Sequence, residues 1–357
     1  MKTNNIFQLL RPSRKSFFVK RRSMKKIFFY IIILILITFA IPIFFANSFK
    51  TEQSVSKNTK DNIEEEIVPE YDYGKYNTIR LLHTATNAVE EIPIEEYLYG
   101  VVSAEMPANF EEEALKAQGI VARTYTMYKI IHNSGKHEGA DICDSSSCCQ
   151  AWISKEDRFS KWEESEREAN WNKIVKCVNA TVGKIITYEG EPINAFFHSN
   201  SGGTTEVPIN VWGGSGYPYL QSVVTSGEEE YTQYSSEVEL SFNEVIEKIK
   251  ETHSNIEINF EEENAIQIIE YTDSGRVRTV KFGNVNLSGV EARSIFGLRS
   301  ANFSIEQTDT TVKFKVLGYG HGVGMSQTGA DSLAKQGQNW EEIVKHFYVG
   351  VEITEIL

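Results

Sequence analysis

Four groups of side chains in this sequence combine reactive types with spacings that let them act together. The first is a single carboxyl. In the stretch IPIEEYLYGVVSAEMP, Ile94, Leu98 and Val101 recur at helical intervals and mark one apolar face. The next position of that series is 105, and it holds a glutamate. Pro107 disfavours helix at Met106, so Glu105 is expected on the last helical turn. Burial on an apolar stripe and the negative end of a helix dipole both disfavour its charged form. A raised pKa is what a general acid needs near neutral pH. A rim glutamate at a helix end is the plainer reading of the same pattern.

The second group is cationic. Lys116 and Arg123 stand seven apart in EALKAQGIVARTY and share a helix face, with Gly119 between them. That arrangement predicts a shallow cationic notch turned away from the packed side, or else an ordinary solvated face. The third group is soft. His137, Cys143 and Cys149 have five residues between each pair in GKHEGADICDSSSCCQAW. Thiolates with an imidazole suit zinc. Cys148 adjoins Cys149, two neighbours do not easily reach one ion, and the even spacing selects Cys149. A Cys143–Cys148 or Cys143–Cys149 disulfide is the alternative. Cys177, in a helical stretch, reads as a buried thiol. The fourth group is a pair of polar loops, His198–Glu206 and the glycine-rich VLGYGHGVGMSQTGA, from which His321 and Gln327 are placed to face a cleft. Neither loop is a nucleophile elbow or a dinucleotide fingerprint, because the spacing and flanking elements are wrong.

The elements that must position these groups follow from pattern. Asn109 is placed to cap a second helix, with Glu112 at its third position. A hairpin with strands over Lys184–Tyr188 and Pro192–His198 delivers the first polar loop. Residues 228–305 read as a second lobe, with an amphipathic helix in SFNEVIEKIKETH and a hairpin turn at Thr272–Gly275. A helix is expected near Ser326–Gln336. The fold class is therefore α+β. The two central helices pack on mixed or antiparallel strands from residues 76–92, 181–225 and 310–318, and a smaller lobe flanks the cleft.

Charge and hydropathy divide the chain further. Residues 1–26 carry nine Lys or Arg and no acid, and removing that +9 from the net −13 leaves −22 for the rest. So acidic a body argues against a nucleic-acid partner and requires any anionic substrate to be held by a local basic spot. Residues 27–45, IFFYIIILILITFAIPIFF, carry no charge and are long enough to span a bilayer. The basic flank before them puts the N-terminus in the cytoplasm. Ala46-Asn47-Ser48 offers a cleavage site, but the apolar run exceeds a usual signal segment, so an uncleaved anchor is expected. Residues 46–75 read as a polar tether, and 76–357 as an extracytoplasmic domain.

Five ordered motifs, EYLYGVVSAEMP, EALKAQGIVARTY, FFHSNSGGTTE, GLRSANF and GYGHGVGMSQTGA, resemble the stage II sporulation protein D family over roughly residues 75–357. That resemblance implies a membrane-anchored lytic transglycosylase in the mother-cell engulfing membrane. It would act in forespore engulfment on peptidoglycan glycan strands stripped of stem peptides, with stage II sporulation proteins P and M as partners. It places the catalytic acid on Glu105 and substrate-handling roles on Lys116, Arg123, His198, Ser199, Ser201 and Gln327. It implies structural zinc at His137, Cys143 and Cys149, with Cys148 as a departure. Some relatives are described as amidase modifiers, so a non-enzymatic module that activates an amidase is the second reading. A zinc amidase is a third, weakened by the lack of an evident general base.

Overall fold

The computed structural model describes residues 76–132 and 135–356. The basic tail, the apolar run at 27–45 and the tether lie outside the described residues, among which no helix is long and apolar enough to cross a membrane. The architecture is α+β. Strands β1 (Thr78–His83) and β2 (Ala88–Pro93) form an antiparallel pair that runs straight into α1 (Ile94–Glu105). The long helix α2 (Glu112–His132) follows, then the short β3 (Ile142–Cys143), which joins β1 in parallel. Helices α3 (Lys155–Lys161) and α4 (Arg167–Asn179) lead to β4 (Lys184–Tyr188) and β5 (Glu191–Pro192).

Helix α2 is the axle of the molecule. It packs on α1, α4 and β4, and on two late helices, α8 (Gln327–Lys335) and α9 (Trp340–Phe347). Surrounded on all sides, it buries polar Gln118, Arg123, Thr124 and Thr126 along with its apolar residues. It starts at Glu112, later than a cap at Asn109 would place it, and the free Glu111 N–H is taken by the Asp331 carboxylate at 2.6 Å.

The expected hairpin is only half formed. The turn at Glu189-Gly190, with φ of 51° and 81°, closes β4 onto β5 as two left-handed residues do. The chain then bends at Asn194, and β6 (Phe197–His198) leaves for a different partner, the parallel β13 (Met325–Ser326). The short helix α5 (Pro208–Trp212) follows β6, and the terminal β14 (Glu352–Glu355) takes the open side of β4.

A second core lies over residues 235–317. Its sheets are β7 (Ser235–Ser241) with β12 (Thr311–Leu317) and β11 (Phe303–Gln307), and β8 (Ile266–Tyr271) with β9 (Val277–Phe282) and β10 (Val285–Ser288), all antiparallel. Helices α6 (Phe242–Lys250) and α7 (Gly289–Phe296) cover them, each opened by a serine capping box. The strand expected at 310–318 against the central helices therefore belongs to this lobe, where Val312, Phe314 and Val316 are buried.

The cationic notch expected from Lys116 and Arg123 is not formed. Gly119 faces α4, and a methyl there would touch Val178 and Thr181 at 3.4 Å. Arg123 is fully buried under the end of α4, where it donates to Thr181 O at 2.7 Å and to Glu95 Oε2 at 2.7 Å. Its chemistry is that of a helix C-terminal clamp. Arg123→Met should therefore cost about 3 kcal/mol of stability, because it strands two carbonyls and a partly covered Glu95. Thermal or urea unfolding checks this, and an unchanged midpoint would return Arg123 to the list of substrate contacts.

Candidate functional site

Glu105 ends α1 as its sequence requires. Met106 is extended, at φ −122° and ψ 142°, and its N–H closes the last turn on Val102 O. The Glu105 carboxyl is held from two directions. Ala151 N–H donates to Oε1 at 2.8 Å, and Gln327 Nε2 donates to Oε2 at 3.1 Å. Both bonds favour the carboxylate, yet burial outweighs them and holds the pKa above the ordinary value of 4.5. Two hollows, of about 620 and 690 Å³, meet at Glu105, Ser199 and Gln327. Together they make one groove with the carboxyl at its seam. The first hollow runs past Phe110, Arg158 and Trp162, the second past Tyr125, Lys129 and Trp212. Along these walls Glu166, exposed and in the first hollow, is the other carboxylate.

The groove wall is built around a carboxylate that the sequence did not mark. Glu228 is fully buried and accepts from Ser201 N at 3.0 Å, Gly203 N at 3.1 Å, Thr225 Oγ1 at 2.6 Å and Thr328 Oγ1 at 3.1 Å, as well as from the Ser201 and Ser326 hydroxyls. It thereby ties the 199–205 loop to the start of α8, the segment that supplies Gln327. Nothing in the run GEEEY sets Glu228 apart from its neighbours, so no local signal announces it. Ser201 is spent in this network, whereas Ser199 lines the groove and gives its carbonyl to Thr328 N at 3.0 Å. His198 also lines the second hollow. Its Nδ1 pairs with Val323 O at 3.1 Å, and burial, helped by Arg276, pushes its pKa down to about 3, so it is neutral. His321 lies beside it at 5.6 Å between ring centroids and is likewise held neutral by burial. Lys116 is paired with Glu113 at 2.5 Å and lines neither hollow, and neither does Arg123.

His137, Cys143 and Cys149 do come together, and Cys148 joins them. All four ligand atoms lie within 4.8 Å of one another, and the cysteines are free. His137 Nε2 is 3.6 Å from Cys148 Sγ and 3.4 Å from Cys149 Sγ, and the two sulfurs are 3.8 Å apart. A tetrahedron with Zn–S near 2.3 Å and Zn–N near 2.05 Å has edges of about 3.8 Å and about 3.6 Å. The cluster fits such an ion, and it corrects the expectation that adjacent cysteines exclude one another. A tight turn over Ser145–Cys149, with Cys149 N–H on Ser145 O at 2.8 Å, points both side chains inward. Two residues beyond Cys149 is Ala151, the donor to Glu105. Between them, Gln150 is buried and donates to Tyr97 OH at 2.9 Å and Thr126 Oγ1 at 2.8 Å.

The family model for the stage II sporulation protein SpoIID matches residues 83–188, the stretch that holds Glu105 and the cysteine cluster. The chain is 36% identical to the stage II sporulation protein D of Bacillus amyloliquefaciens over 78% of its own length and 79% of that protein's. It is 35% identical to the protein of the same name from Bacillus subtilis (strain 168), with the same coverage. It is also 28% identical to a Bacillus subtilis protein named amidase enhancer, over 72% of this chain and 40% of that one.

Gly100 lets the Ala151 segment reach Glu105. A methyl there would lie 2.2 Å from Trp152 Nε1 and 2.8 Å from Ile153 O. Gly100→Ala is thus expected to push residues 151–153 off α1 and speed hydrogen exchange at the Ala151 amide at least about tenfold. Gly119→Ala, where the contacts are 3.4 Å, should leave that amide protected. Equal protection in both variants would contradict this account of the donor.

Proposed function

We propose a cell-wall activity from two premises: the chain belongs to the stage II sporulation protein D family, and one buried carboxyl stands where the two hollows of its groove meet. The activity is that of a lytic transglycosylase on peptidoglycan strands freed of stem peptides. The observation that carries it is Glu105, a carboxyl with a raised pKa where two open hollows of about 620 and 690 Å³ meet. In the first step the protonated Glu105 gives its proton to the glycosidic oxygen between N-acetylmuramic acid and N-acetylglucosamine, and that C–O bond breaks. The carboxylate left behind is met by donors already aimed at it, Ala151 N–H and Gln327 Nε2, which need no rearrangement as charge appears. In the second step the muramic C6 hydroxyl attacks the oxocarbenium-like centre and its proton passes to Glu105. The acid is restored and a 1,6-anhydro end results. One carboxyl serves both steps, where ordinary glycosidases require two.

Zinc fits this scheme as a structural ion. His137, Cys143, Cys148 and Cys149 would hold it, and its contribution would be to cross-link the loop that carries Ala151. Four protein ligands would complete a tetrahedral shell, which suits a structural role. The setting completes the proposal: an anchor at 27–45, an extracytoplasmic groove, sporulation proteins P and M as partners, and forespore engulfment as the occasion. The relative named amidase enhancer favours a second reading, in which the groove binds glycan and stimulates an amidase without cutting.

Product analysis separates the readings. With peptide-free glycan strands the protein should release 1,6-anhydro-ended fragments detectable by mass spectrometry. Glu105→Gln should lower the rate by at least about 10³-fold, and Glu166→Ala by less than about threefold. Reducing ends, with Glu166 essential, would mean hydrolysis instead. Since the acid must be protonated, kcat/KM should fall as pH rises through the raised Glu105 pKa, and a limb that instead rises would reverse the role of the carboxyl. The same shift bears on stability. A carboxyl with its folded pKa raised stabilises the fold only below that pKa, so Glu105→Gln should hold or raise Tm at neutral pH. Chelation should lower Tm and activity together, and activity lost from a fully native fold would favour a catalytic metal.

A further inference from the structure

We propose that Arg293, carried by α7 from the second lobe, is the receptor for a carboxylate on the sugar bound in the Trp212 side of the groove. This deepens, and rests on, the glycan reading above. It gives that reading a chemical basis for selectivity, since the lactyl group of muramic acid is a free anion only when no peptide is attached.

Arg293 lines the second hollow and is partly buried, and that burial lowers its pKa. Its side chain makes no hydrogen bond or ion pair among the described residues, and Tyr319 alone offsets the burial. The two buried arginines among the described residues differ from it in being partnered. Arg123 is spent on Thr181 and Glu95, and Arg276 donates to Thr204 O at 2.9 Å and Ser201 O at 2.8 Å. A guanidinium with five donors, no partner among the described residues and its nitrogens open to a hollow is placed to meet an acceptor on a ligand.

Its surroundings fit an anion on a sugar. The neighbouring imidazoles, His198 and His321, are neutral, and both feel the positive field of Arg276 and Arg293. His198 Nε2 is buried without a hydrogen-bond partner. Trp212 is half exposed and leans on His321 at 5.0 Å, which leaves an aromatic face for a pyranose ring. Lys129 adds a second cation to the lining of the same hollow, above the rings of Tyr125 and Phe196. A chain this acidic needs such a local cluster to receive an anion, and a guanidinium meets a carboxylate with two parallel bonds. In the other hollow Arg158 is already stacked on Trp162 at 4.7 Å.

The test measures binding, in the full chain with Glu105→Gln to prevent turnover. Two probes are used: peptide-free glycan strands and the same strands with their carboxylates methyl-esterified. The acid strand should bind at least about tenfold more tightly than the ester, and Arg293→Gln should abolish that preference while leaving ester binding unchanged. Arg158→Gln should keep the preference. Four outcomes overturn the proposal alone: no preference in the starting protein, a preference that survives Arg293→Gln, a preference lost with Arg158→Gln instead, or affinities for both strands falling together in Arg293→Gln. Binding of neither strand would overturn the glycan reading and this proposal with it.

Discussion

The interaction on which the site depends is the two-sided grip on Glu105. A carboxyl buried at the end of a helix would be mobile, or would turn to solvent, without donors to fix it. Its donors come from segments 46 and 222 residues away in the chain, and each of those segments has its own anchor. The Ala151 segment is pinned by the cysteine–histidine cluster, by Gln150 and by the close pass over Gly100. The Gln327 segment is pinned by Glu228, which gathers donors from three stretches of chain. These buried polar groups serve to keep one carboxyl in place, and around Glu228 the cost of burial is offset by mutual hydrogen bonds.

This arrangement has a recognisable balance of forces. Burial raises the Glu105 pKa while the two donors lower it, and burial prevails. In the proposed reaction this balance would let the group act as an acid in the first step and as a base in the second. Stronger donors would favour the carboxylate and weaken the proposed acid. Without them, the carboxylate that the proposed first step would form would have no donor to support it.

What the sequence made legible was local. The apolar spacing of Ile94, Leu98 and Val101 with the stop at Pro107 located Glu105 to the residue, and the soft side chains after α2 marked a group that the fold does bring together. Gln327 and Ser199 were readable as polar residues on cleft loops. Features that depend on distant partners were not. Helix α2 carries Lys116 and Arg123 at a surface-like spacing, but burial on every side turned Arg123 inward to satisfy α4. Cys148 was set aside on a chain-geometry argument that a tight turn defeats. Glu228 sits in an acidic run that looks solvated, and Arg293 in an ordinary amphipathic helix. Their roles exist only once the second lobe and α8 are in place.

The central claim is that one carboxyl cleaves glycan without a water. The most direct measurement is to run the reaction on peptide-free strands in water enriched in oxygen-18 and to weigh the new muramic ends. The account predicts ends that carry no label and are lighter by one water than hydrolysed ends, because the C6 hydroxyl closes the ring. Ends that carry one oxygen-18 would contradict it, and would show that a water, activated by a second group, completes the reaction.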